Sequence, residues 1–458
     1  PVDYYLDKMS ENYVRVKGSQ VLIGSAREIV QSPMKGIEKL QTAVAELALE
    51  AVPTRDDLVE DTVEERMARY LRLKKAGGMD GMPTPWEVLN EATMGLHGGD
   101  FIAIVSRPGV GKQQPLSSKL YGPRGPFKMG DAKVGMEVMG SDGRPHKITG
   151  VYPQGKKQIY RITFSDRTSV ECGIDHLWTV RDRRKNDFVT MTLGEIMERG
   201  LQEADGHNRW VLPMTEPVQF EKRHLPIDPY VLGVLIADGN YTRGSVTFTN
   251  TEEDIVARVK SKLPVGTSLS YSFRGGKKHG IAGMIPFMKE VGLYGLYSYE
   301  KHIPVDYKYS DVEDRQALLQ GLFDGDGTIN ANGTFRYSTS SERLALDIQE
   351  LVESLGGTAT ISTRKPWYTY KGERKDGRQS YRLMFRLPDG IKCYSSAKHR
   401  AKDKKVGRLK PYRNIVSVDK LRVEETQCIM VDAKDGLYLT DHFIVTHNTF
   451  MLTLFAEY

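Results

Sequence analysis

Lys112 and Thr449 stand near opposite ends of the sequence, yet joined together they complete a phosphate-binding loop. Residues 98–112 read GGDFIAIVSRPGVGK: a tight turn, an apolar run at 101–105 of strand character, then a glycine-rich loop ending in Gly-Lys. Glycines such as Gly109 and Gly111 let backbone N–H groups approach phosphate oxygens, and Lys112 adds a point charge. Such a loop next needs Ser or Thr to hold magnesium, and then a helix. The chain continues instead with QQPLSSKLYGPRGP, where Pro115 and the lack of a helical period end the motif. The missing part is TFMLTLFAEY, residues 449–458, an apolar segment of good helix formers. Joining Lys112 to Thr449 gives SRPGVGKTFMLTLFAEY, which fits G-x-x-x-x-G-K-T apart from Ser106 at the first glycine. Residues 113–448 therefore read as an insertion that splits the loop.

The joined segment, with GMPTPWEVLNEATMGLHGGD ahead of it, resembles the start of the ATPase core in replicative helicases of the DnaB type and their RecA relatives. The resemblance covers only residues 81–112 and the last ten. It implies an α/β host fragment whose Gly109, Gly111, Lys112 and Thr449 hold ATP and magnesium once reunited, in a hexameric helicase acting on DNA. Helical stretches are expected at 36–51 and 63–76, and residues 1–80 contain no interpretable motif.

The insertion ends in HFIVTHNT, which resembles the downstream junction of inteins: His447, Asn448, then the hydroxyl of Thr449. An asparagine amide can cyclise onto its own carbonyl and cut the following bond, a neighbouring imidazole can protonate the departing amine, and a hydroxyl can accept the upstream chain as an ester. The insertion begins, however, with Gln113, which is no nucleophile. The remaining residues resemble class 3 inteins, in which an internal cysteine attacks the upstream junction between Lys112 and Gln113. DHLWTV supplies His176 and Trp178, TQCIMVDAKDGLYLTD supplies Cys428, and VTHN supplies Thr446. Residues 127–166, rich in period-two alternation, extend the likeness. The resemblance implies an all-β Hedgehog/intein splicing fold that needs no cofactor. A cysteine suits the role because its ordinary pKa of about 8.5 leaves some thiolate at neutral pH. Without the resemblance, Cys428 would read as a buried core thiol, His176 as a strand histidine and Trp178 as a core aromatic. Many inteins carry Thr three positions before the histidine, where this chain has Gly173, and Asp175 is the nearby polar substitute. Cys172 defaults to core, and His442, near the downstream junction, reads as an exposed strand histidine, the alternative being a residue that assists at that junction.

Two further segments, VLGVLIADG at 231–239 and LQGLFDGDG at 319–327, resemble the paired motif of LAGLIDADG homing endonucleases. Each is an apolar helical run with a small residue, Gly233 or Gly321, where two helices can approach, and each ends in Asp-Gly. Packed side by side they would bring Asp238 and Asp326 together to bind magnesium and position water against a DNA phosphate. Their separation of 88 residues suits a pseudo-symmetric αββαββ repeat. Lys301, in KHIP, falls where the family often has a catalytic-site lysine, the competing reading being a surface lysine before a strand. The alternating strands at 244–250, 333–340 and 380–388 are expected to form curved sheets in the DNA major groove, and SERLALDIQELVESLGG at 341–357 is a further feature of the resemblance.

These residues require several folding units. Residues 1–112 would be the upstream host fragment, 113–220 and 401–448 the two pieces of the splicing domain, 221–400 the inserted α+β endonuclease, and 449–458 the downstream host remnant. The formal charge of +6 conceals an asymmetry, since residues 362–413 hold 17 Lys and Arg against 4 Asp and Glu. With Trp367, Tyr368, Tyr370, Tyr381 and Tyr412 interleaved, this basic stretch suits duplex DNA, or is a solvated face. No apolar run approaches a membrane span and the first residues lack a secretory signal, so a cytoplasmic protein is expected. Three cysteines form neither a disulfide framework nor a zinc pattern. Two rival readings stand beside splicing: an endonuclease with a degenerate, non-splicing domain, and an ATPase with an insertion that is never excised.

Overall fold

The computed structural model describes residues 2–31, 37, 40–44, 63–75, 113–185, 187–271, 277–370, 373–403 and 409–447. The residues expected to form a split phosphate loop, Gly109, Gly111, Lys112 and Thr449, lie outside these residues, as does Asn448. The chain divides into two compact units, 1–105 and 106–458. In the first, the described residues are helical, in Val2–Gln31 and Val63–Lys75. The expected helix at 63–76 is therefore present, and the longer one before it had not been singled out.

The second unit contains a sheet-rich half and an α+β half. The sheet-rich half is organised by two long antiparallel strands, Pro145–Phe164 and Arg413–Val431. Four register shifts interrupt their ladder. Each bulge increases local twist, so strands of this length curl around a core and avoid lying flat. Ser169–Gly173, Leu177–Asp182, Phe188–Thr192 and Trp210–Leu212 complete the main sheet with the short strands Gln114–Pro115 and Glu137–Met139. Alternation along these strands sends Ile162, Phe164, Val170, Cys172, Trp178 and Ile415 into one core. A second core collects Leu120, Val138, Ile148, Ile429 and Tyr438. Residues 113–448, read as an insertion from sequence, thus begin beside Gln114–Pro115 and end beside Ile444–His447, both strands of this half.

The α+β half repeats one plan twice. A helix, Pro229–Asp238, precedes a four-stranded antiparallel sheet, and a second helix, Val312–Asp326, precedes another. Both helices begin on an aspartate cap: Asp228 accepts from the Tyr230 and Val231 amides, and Asp311 accepts from that of Asp314. The first is apolar around its circumference because it is buried on every side, residues 229–236 being all in the interior. The pseudo-symmetric repeat expected from the sequence is present, though each sheet has four strands, not two.

The helix Glu342–Ser354 lies in the second repeat, where Ser341 caps it. Basic residues 397–403 form a short helix, Ala397–Asp403. The two halves share a hydrophobic cluster: Tyr309 of the α+β half packs with Tyr121, Phe220, Leu439 and Phe443. Among the described residues, no helix is long and apolar enough to cross a membrane.

Candidate functional site

At the upstream end of the insertion, strand pairing sets the geometry. Gln114 faces Gln427 and Pro115 faces Thr426 in an antiparallel ladder. The residues that adjoin the Gln114–Gln427 pair in sequence are Gln113 and Cys428. On the other side Gly173 N donates to Gln113 O at 2.8 Å, so the first residue is held between two strands. Gln113 and Cys428 are buried, as are His176, Trp178, Thr446 and His447.

His176 Nε2 and Thr446 Oγ1 stand 2.5 Å apart, although 270 positions separate them in sequence. The Trp178 indole packs edge-on to the His176 ring, with centroids 5.3 Å apart, and closes the core beneath it. Thr446 is positioned by its strand, in which Tyr438 pairs with Thr446 and Leu437 with His447. Tyr438 OH donates to Gln114 Oε1 at 2.9 Å, and Gln114 Nε2 donates to Thr440 Oγ1 at 3.1 Å. This chain of buried polar groups ties the entry strand to the exit hairpin. Cys172 points into the core beside Trp178, and burial pushes its thiol up to about 12, opposed by the indole. It is a packing thiol, as its sequence context suggested.

Two features of this region were not legible in the sequence. A Cβ built on Gly173 would lie 2.3 Å from Gln113 Oε1, so the Gln113 side chain occupies the space that a larger residue at 173 would take. His442, expected as an exposed strand residue, has a side chain that is 41% exposed but sits in the turn Asp441–Phe443. There its Nδ1 lies 3.1 Å from Glu353 Oε2 of the α+β half. Periodicity could not reveal either feature, because each depends on a residue far away in sequence.

The second cluster lies at the C-terminal ends of the two paired helices. A Cβ on Gly233 would meet Leu318 O at 2.3 Å, and one on Gly321 would meet Tyr230 O at 2.1 Å. The helices therefore touch through backbone at these two positions, as the small residues predicted. Their ends bring Asp238 and Asp326 into electrostatic contact. Burial, then the neighbouring Asp326, pushes the Asp238 carboxyl up to about 6, and burial also raises Asp326. Asn250 Nδ2 donates to Asp238 at 3.2 Å.

Lys301 is buried, which corrects the surface-lysine reading. Its ammonium donates to the carbonyls of Ile236 and Gly239, both at 2.8 Å, and of Ala237 at 3.3 Å. It thereby satisfies the orphan carbonyls of the first helix terminus. Burial lowers its pKa to about 8 against the attraction of Asp326 and Asp238. Among the described residues the cluster holds two carboxylates; Lys301 is committed to carbonyls, and Lys398 adds a further positive charge near Asp238. That donor set fits a hard divalent cation, which takes few protein oxygens and fills its sphere with water and phosphate.

Asp324, three residues before Gly327, was not singled out in sequence. It accepts from the amides of Ser395 and Ser396 and from Ser395 Oγ and Tyr230 OH, and it faces His399 Nδ1 at 3.3 Å. These bonds hold its carboxyl below the usual range despite burial. They lock residues 395–399 against the helix that carries Asp326.

Residues 313–422 match the model of the "LAGLIDADG-like domain" family. The chain is similar to the replicative DNA helicase DnaB of Mycobacterium intracellulare, with 27% identity over 380 residues, covering 76% of this chain and 60% of that protein. It thus spans about 60% of that relative's length. Among solved structures, a MchDnaB-1 intein aligns over 73% of this chain and 99% of its own, at 11% identity and a TM-score of 0.23. The structure of I-DmoI in complex with DNA and Ca aligns over 35% of this chain and 83% of its own, at 14% identity and a TM-score of 0.24.

Proposed function

We propose that the chain is a precursor that excises its own residues 113–448 and joins Lys112 to Thr449, and that the excised segment is also a divalent-metal-dependent endonuclease for duplex DNA. One observation supports the splicing reading: the ladder that pairs Gln114 with Gln427 brings the strand that follows Gln113 beside the strand that carries Cys428. The His176–Thr446 pair lies at the same end of the fold, and the relative similar over three-quarters of the chain is a DnaB helicase.

In this reading the Cys428 sulfur attacks the Lys112 carbonyl carbon. The Lys112–Gln113 bond breaks, His176 protonates the departing amine, and the upstream chain becomes a thioester on Cys428. Thr446 orients His176 and Trp178 keeps water from the thioester. Holding nucleophile and carbonyl in contact supplies an effective molarity on the order of 10⁵ M or more in well-aligned cases. The Thr449 hydroxyl then takes the acyl group, releasing the Cys428 thiol. The Asn448 amide nitrogen closes on its own carbonyl carbon, and the Asn448–Thr449 bond breaks as His447 protonates the leaving amine. Attack of that amine on the new ester leaves a peptide bond between Lys112 and Thr449.

In the nuclease reading Asp238 and Asp326 would hold the cation, whose chemistry is to activate water and neutralise phosphate charge. Lys301 fixes the helix end beneath them. The basic stretch 362–413 contacts duplex DNA that carries the uninterrupted phosphate-loop coding sequence. After splicing, Gly109, Gly111, Lys112 and Thr449 form a site for ATP and magnesium in a hexameric DNA helicase.

Mass spectrometry of freshly expressed protein tests the central step. A ligated 122-residue product is expected, and its absence under all conditions would leave an endonuclease with a non-splicing domain.

A further inference from the structure

The turn that leads into the last strand is not held by the sheet-rich half alone. His442 and Phe443 have φ angles of 58° and 52°, in the left-handed region that strains residues bearing a Cβ, and they directly precede Ile444–His447. Strain of this kind persists only where the surroundings enforce it. Phe443 stacks on Tyr121 with ring centroids 3.8 Å apart, and the Asp441 carboxylate accepts from Lys119 N at 3.1 Å. The third restraint is the His442–Glu353 contact, and Glu353 belongs to the helix Glu342–Ser354 of the nuclease-like half.

Glu353 is an unusual residue to bury. Its side chain is 1% exposed, and among the described residues Oε1 makes no hydrogen bond, with Arg413 Nη2 at 3.6 Å. Arg413 is itself committed to Asp166 at 2.5 Å. Burial raises the Glu353 pKa, and the hydrogen bond and charge of His442, followed by the charge of Arg413, act against that desolvation. The charged groups facing His442 are Glu353 from the helix, Arg413 from the long strand and Asp441 from its own turn. Glu353 and Asp441 favour its protonated form, and burial and Arg413 oppose it, with a raised pKa as the net result.

We propose that Glu353, although it lies in the nuclease-like half, is a positioning residue for splicing: as the charged partner of His442 it holds the left-handed turn that sets the strand running into Asn448. The inference rests on the splicing reading above. It makes the nuclease-like half a structural support of the downstream junction, so cleavage there depends on a residue that touches neither reacting bond.

The test uses the full chain and follows cleavage before Gln113 and after Asn448 separately by mass spectrometry across a pH series. Glu353→Gln keeps the shape and removes the charge; it is expected to slow downstream cleavage roughly tenfold, the scale of one charge-assisted hydrogen bond, and leave upstream thioester formation unchanged. Because the carboxylate raises the His442 pKa, its loss should shift the pH at which downstream cleavage changes to lower values. In a His442→Gln background the same change should have no further effect, and Leu346→Ala on the exposed face of the helix should behave as the unmodified chain. Unchanged downstream rate and pH profile in Glu353→Gln would overturn the proposal. So would equal slowing of both cleavages with a lowered melting temperature, which would mark a purely structural residue. If the unmodified chain yields no ligated product, the splicing reading itself fails, an outcome distinct from either.

Discussion

Gly173 shows how much a single missing carbon can decide. Its φ is not in the region that demands glycine, so the requirement comes from space: a Cβ there would lie 2.3 Å from Gln113 Oε1. We expect Gly173→Thr to push the Gln113 side chain aside, disturb the 2.8 Å bond from Gly173 N to Gln113 O, and slow upstream cleavage roughly tenfold through misalignment of the scissile carbonyl. Gln113→Ala alone should splice nearly as the unmodified chain and should restore the rate in the Gly173→Thr background. A time course of thioester-dependent cleavage checks both, and an unaffected Gly173→Thr variant would deny the seat any role. Cys428, Trp178 and Thr446 were visible in sequence as candidates, because their types are distinctive beside a His-Asn terminus. The fit of Gln113 over Gly173 was not, since an absent side chain carries no signal until its neighbour is known.

Among the elements, the paired helices depend on the same economy of space. Replacing Gly321 by Val would drive a side chain into Tyr230 O, 2.1 Å from the position of its Cβ, and separate the helices. Overpacking of this kind costs about 1–3 kcal/mol, visible as a lower unfolding midpoint and accompanied by loss of DNA cutting. The carboxylates at the helix ends give a second prediction. The Asp238 carboxyl titrates near 6 in the folded chain against an ordinary 3.8, so the folded state binds the extra proton between those values. Stability of the metal-free protein from this group therefore falls as pH rises through that window. Asp238→Asn should remove that pH dependence and raise the midpoint at neutral pH by ~2–4 °C, equivalent to about 1 kcal/mol, while abolishing DNA cutting. A thermal melt without metal, repeated with magnesium, measures this; a lowered midpoint in the variant would mean that the pair is not repulsive. The helices and their glycines could be read from the repeated motif. The clamp of Ser395, Ser396 and His399 on Asp324 could not, because 71 or more positions separate the partners and no periodicity links them.

For the whole molecule, the architecture changes from a sheet with two long curled strands to twice-repeated helix and sheet. Contacts that cross between the halves were hidden from sequence. Tyr309 and Glu353 sit in elements whose own patterns are complete, yet one ring joins the cluster around Phe443 and one carboxylate reaches His442. The basic stretch was visible in composition, whereas its role depends on which strands carry it. In the proposed reading Lys112 and Thr449 would meet only in the product, so the precursor's chemistry is best read from its masses. The most direct measurement compares intact masses of the unmodified chain and of Cys428→Ala after identical expression. The account predicts the 122-residue ligated product from the unmodified chain and none from the variant, which should retain the Lys112–Gln113 bond and show at most cleavage after Asn448. Appearance of the ligated product from Cys428→Ala would contradict it, because another residue would then have to open the upstream junction.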